Sequence, residues 1–81
     1  MPKSDNKAFS WFEKSANQDY YRAQFNMGEA WRMGKGTFRA PLKAYPWYEK
    51  AARNPDPNNT YGELAQQGME ILRRENPTLF Y

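Results

Sequence analysis

The chain repeats itself. Ala8-Phe9-Ser10-Trp11-Phe12-Glu13-Lys14-Ser15-Ala16 aligns with Ala44-Tyr45-Pro46-Trp47-Tyr48-Glu49-Lys50-Ala51-Ala52 at an offset of 36 residues. Self-similarity at that period is the signature of stacked helical hairpins, because one hairpin cannot bury its apolar face alone. The stretch from Met27 to Ala52 reads as a helix, a glycine-marked turn and a second helix. Eighty-one residues suffice for one domain, residues 1–81, and not for a second core. Aromatic residues make up 17%, Val is absent and Ile71 is the single Ile, a composition that disfavours sheet and suits aromatic–alanine helix packing.

Apolar spacing then predicts four helices. The first spans about 5–17, capped by Ser4 or Asp5, with Ala8, Trp11, Phe12 and Ser15/Ala16 on its inward face. The second spans about 20–33, capped by Asp19, with Ala23, Met27, Ala30 and Trp31 inward. Gly28 sits mid-helix, where it costs about 0.5–1 kcal/mol relative to Ala and implies close approach by a neighbour. Gly34 and Gly36 end this helix. The third spans about 41–53, with Pro41 at its first position; Pro46 predicts a late or bent start. After the turn-rich linker 54–59, Thr60 and Glu63 form a capping-box pattern for a fourth helix, about 60–75. The tail, 76–81, is apolar enough to fold back over the edge of the stack.

Several functions are disfavoured. There is no Cys and no His, which removes disulfides, thiolate metal sites and the commonest general base; no cofactor is expected. Gly34-Lys35-Gly36-Thr37 lacks the spacing of a phosphate loop. Glu13 and Glu49 occupy equivalent outward positions on separate helices, which suits solvated charge better than a catalytic pair. An enzyme is not expected. No window is apolar enough for a membrane span and no signal peptide opens the chain, so a cytoplasmic location is expected.

Met27-Gly28, Trp31, Gly34, Gly36, Lys43-Ala44, Trp47-Tyr48 and Lys50-Ala51-Ala52 together resemble the Sel-1-like repeat, a relative of the tetratricopeptide repeat. Ala23-Gln24-Phe25-Asn26-Met27-Gly28 resembles that family's first-helix opening, and Leu64-Ala65 is a weak echo of Met27-Gly28. Thr37, Ala40 and Pro46 depart from the pattern. The resemblance implies an all-α fold: a short right-handed superhelix of about four antiparallel helices, roughly two repeats. It also implies a non-catalytic interaction module. Bacterial members of the family often serve as adaptors, and small ones as inhibitor- or immunity-type partners.

In tetratricopeptide-like stacks the first-type helices line the concave surface. Here those helices carry large or charged residues outside the inward stripe: Tyr21, Arg22, Phe25, Glu29 and Arg32, continued by Gln66, Met69 and Arg73. Arg with aromatic side chains is the mixture that forms binding hot spots. The expectation is that a partner's extended peptide or helix docks there, and that Ala at Arg22, Phe25 and Arg32 weakens binding without unfolding. The other reading of the same face leaves Phe25 half-buried between repeats and the charges solvated. Self-association or packing into a larger complex stays open. A different class of function, nucleic-acid binding through Arg22, Arg32, Arg39, Arg73 and Arg74 with Tyr stacking, suits the net charge of +3 less well.

Overall fold

The computed structural model describes residues 3–18 and 20–80, with the backbone alone for residues 3–6 and Ala8. Four helices follow in order: α1 (Lys3–Ala16), α2 (Tyr21–Met33), α3 (Pro41–Arg53) and α4 (Gly62–Glu75), with no strand among the described residues. Each packs on its sequence neighbour, and α2 also touches α4, so α2 and α4 lie side by side against α3. The result is the all-α solenoid expected from the repeat. None of the described helices is long and apolar enough to cross a membrane.

Tyr48 is the centre of the packing. It is fully buried, in a cluster with Ala44, Ala51, Ala65 and Leu72. Its ring lies between two glycines on different helices. A Cβ on Gly28 of α2 would stand 2.7 Å from the ring, and one on Gly68 of α4 would stand 2.5 Å away. Both glycines therefore exist to admit the ring, which is the close approach expected for Gly28. A second cluster, Ala16, Ala23 and Met27, joins α1 to α2 and is flanked by Phe9, Phe12, Trp31 and Trp47. On α1 the inward residues are Phe9, Phe12 and Ala16. Trp11, expected inward, is 62% exposed, because no helix lies on its side of α1 among the described residues.

The helix ends differ from expectation at several points. Ser4 and Asp5 are already helical, so neither caps α1; early acidic residues suit the helix N-terminus as first-turn groups too. Asp19 lies outside the described residues, and Tyr20 occupies the cap position of α2 without a side-chain bond. Gly34, at φ 76°, ends α2, with the Gly34 and Lys35 amides both donating to the Ala30 carbonyl. α3 winds from Pro41, not late: the Lys43 and Ala44 amides close the first turn on the Ala40 carbonyl. Pro46 sits inside that helix facing solvent, beside an exposed Leu42 whose carbonyl loses its usual donor.

α4 begins at Gly62 with Tyr61 at the cap and no side-chain cap bond, so Thr60 and Glu63 do not form the capping box. Asn59 acts instead. Its amide nitrogen donates to the Ala51 and Asn54 carbonyls at 2.9 and 3.2 Å, and its side-chain oxygen accepts from the Tyr61 amide at 2.9 Å. One side chain thus closes α3 and opens α4. Beyond α4 the tail turns back, and Phe80 stacks on Tyr45 with ring centroids 5.1 Å apart.

Candidate partner-binding site

Of the residues expected to bind a partner, those on α2 converge on Tyr48 and Tyr61. The Tyr48 hydroxyl donates to Glu29 Oε2 at 2.7 Å and accepts from Arg32 Nε at 2.9 Å. Arg32 also pairs with Glu29 at 3.4 Å. Burial, reinforced by the Glu29 carboxylate and opposed by Arg32, pushes the Tyr48 phenol well above its ordinary value. Burial alone would lower the Arg32 pKa, but the bonds to Tyr48 and Glu29 outweigh it and raise it. Phe25 packs its ring against Tyr48 and Tyr61, at 5.7 and 5.3 Å between centroids. Arg22 donates to the Tyr61 hydroxyl at 3.3 Å, and the Tyr21 ring lies 6.0 Å from that of Tyr61.

The α4 residues take another direction. Arg73 donates to the Tyr45 hydroxyl at 2.6 Å and lies 5.6 Å above its ring, beside Phe80. Met69 packs against the Tyr48 cluster, and Gln66 is exposed. The two halves of the expected face meet through that cluster, against which both Phe25 and Met69 pack. Phe25 and Arg32 are therefore structural as well as surface residues, and Ala at either position would loosen the stack. Arg22 is exposed and can be changed with less harm.

What the expectation missed is a groove beside α2. About 330 Å³ in volume, it has walls of Phe9, Phe12, Phe25 and Ala30 and a rim of Asn26, Glu29 and Lys35. Phe25 and Glu29 are residues of the expected face; Phe12 was expected inward, as core alone, and Phe9 had no assigned role. An apolar floor with a few polar groups is what an anchoring side chain needs. A larger, more open depression runs from Gln24 along Glu49, Lys50 and Arg53 to Asp56, lined by charges of both signs. Among the arginines of the nucleic-acid reading, Arg32 is paired with Glu29, Arg74 lies 3.9 Å from Glu70, and Arg39 is exposed. Among the described residues no group of three or more His, Cys, Asp or Glu could hold a metal ion.

No solved structure matches the chain. Among curated proteins it is 44% identical over 54 residues to the chitin synthase regulator SKT5 of Saccharomyces cerevisiae, covering 67% of this chain and 8% of that protein. The chain thus spans a small part of that relative's length. The family model for the Sel1 repeat matches residues 1–20 and 22–56, which include the two aligned segments and the Gly28–Tyr48 contact between α2 and α3. With more than half of its residues matched, the chain belongs to the Sel1 repeat family.

Proposed function

We propose that the chain is a non-catalytic protein–protein interaction module, docking a segment of another protein on α2 and in the groove beside it. The observation that carries this reading is the groove itself, an aromatic floor made by two helices with Asn26, Glu29 and Lys35 at its rim. Arg22, exposed on the same helix, adds a charge that can pair with the bound segment. The Glu29–Tyr48–Arg32 network supports it too, since a rigid platform lowers the ordering cost of binding. A relative whose name is that of a regulator agrees with a module that acts through another protein. The arrangement suits an apolar anchor on a peptide or helix, flanked by polar groups.

The test is a tagged capture from native lysate, with and without nuclease. A protein that stays bound after nuclease treatment is the expected result. Capture of nucleic acid alone, or of proteins that nuclease releases, would overturn the reading in favour of phosphate contacts by the arginines.

A further inference from the structure

Between Ala30 and Tyr48 the chain has four basic residues and no acidic one. Arg32 is paired with Glu29. Lys35, Arg39 and Lys43 are exposed, and no carboxylate pairs with them among the described side chains. Large apolar side chains share the same stretch: Phe38 is 67% exposed, Leu42 58% and Met33 42%. Exposed apolar surface rimmed by polar groups marks a contact site when it is gathered in one place, whereas scattered single residues do not.

Here the fold gathers it. The Ala40 amide donates to the Trp31 carbonyl at 2.8 Å, which folds the turn 34–40 back on the end of α2. The Phe38 ring meets Trp31 edge-on at 5.4 Å, and Lys43 Nζ lies 4.9 and 5.7 Å from those two ring centres. Arg39 runs alongside Gly34. The repeat does not ask for apolar residues at these places. At the offset of 36 residues Leu42 corresponds to Asn6. At the offset of 37 that aligns Met27-Gly28 with Leu64-Ala65, Met33 corresponds to Glu70. Neither depression described above includes Phe38, Arg39 or Leu42.

We propose that the α2–α3 turn, with the first turn of α3, binds the surface of an anionic lipid bilayer. Phe38 and Leu42, with Met33 at the end of α2, enter the boundary between headgroups and acyl chains. Lys35, Arg39 and Lys43 keep their stems along that apolar surface and their charges among the anionic headgroups. A turn that presents apolar tips and unpaired cations fits a fluid surface, which needs no complementary shape. An acidic peptide would need a groove to seat its side chains. The contact is with one leaflet and requires no helix to cross it. Arg39 and Leu42 lie outside the proposed protein-binding groove, so the two surfaces can be tested separately.

The test is co-sedimentation of the 81-residue chain with phosphatidylcholine vesicles containing about 30% phosphatidylserine, at an ionic strength of about 0.15 M. Binding is expected there, with little to vesicles of phosphatidylcholine alone. Arg39→Gln should weaken it about fivefold and Leu42→Ser about tenfold. Both positions are exposed, so the melting temperature of each variant should stay within about 1 °C of the parent. Lys14→Gln, in the last turn of α1, removes the same charge elsewhere and should change binding by less than about twofold. Absence of binding to the phosphatidylserine vesicles would overturn the proposal. So would binding that Leu42→Ser leaves unchanged, or that Lys14→Gln weakens as much as Arg39→Gln does. Capture of an acidic protein that Leu42→Ser loses, without vesicle binding, would overturn it by assigning the turn to a protein.

Discussion

Tyr48 performs two tasks with one side chain. Its ring fills the space left by Gly28 and Gly68, and its hydroxyl bridges Glu29 and Arg32. Gly68→Ala would gain up to about 1 kcal/mol in helix propensity but would drive a Cβ into the middle of a buried ring, an overpacking typically worth 1–3 kcal/mol. The clash wins, so the variant should melt several degrees lower in a thermal scan. Tyr48→Phe keeps the ring and removes the bridge, costing about 1–2 kcal/mol at neutral pH. It should also change the alkaline behaviour. The folded phenol has a raised pKa, so folding binds its proton more tightly than the unfolded chain does. That contribution is complete below the ordinary tyrosine value near pH 10 and is lost progressively as pH rises above it. Chemical denaturation across this range should show a steeper loss of stability in the parent than in Tyr48→Phe.

At the scale of the helix, Pro46 is the clearest local conflict. It withholds a donor from Leu42 inside a helix that nevertheless runs from Pro41 to Arg53, because Tyr48, Ala44 and Ala51 on its other face are buried. Tertiary packing overrides propensity here. Pro46→Ala restores the donor at an exposed position and should raise the melting temperature, by about 4–8 °C for each kcal/mol recovered. The same competition explains what the sequence left obscure. The helices and the turn after α2 could be read from apolar spacing and Gly–x–Gly punctuation, the close approach at Gly28 from a glycine placed mid-helix, and the folded-back tail from its apolar residues; the matching contact at Gly68 was not foreseen. Trp11 was misread because periodicity reports which residues share a face, and not whether a neighbour covers it. The start of α4 was misread because Asn59, joined through space to Ala51 and Asn54, takes over what a local capping pattern would have done. The groove required Phe9 and Phe12 of one helix to meet Phe25 of another, and no pattern within a single helix carries that information.

In the whole molecule the packed centre and the proposed binding face share some of the same residues. Phe25, Glu29 and Arg32 support the stack through Tyr48, whereas Arg22 and Lys35 are exposed, Arg22 on α2 beside Tyr61 and Lys35 at the rim of the groove. On the proposed site, changing the first set should disturb stability and binding together, and changing the second set should separate them. The decisive measurement is nuclease-treated capture with Arg22→Glu/Lys35→Glu beside the parent, accompanied by a melting curve for each. The account predicts a melting temperature within about 1 °C of the parent, since exposed substitutions rarely move stability by more than about 0.5 kcal/mol, together with loss of the captured protein. Full retention of that protein by the variant, at unchanged stability, would contradict the assignment of the α2 face as the binding site.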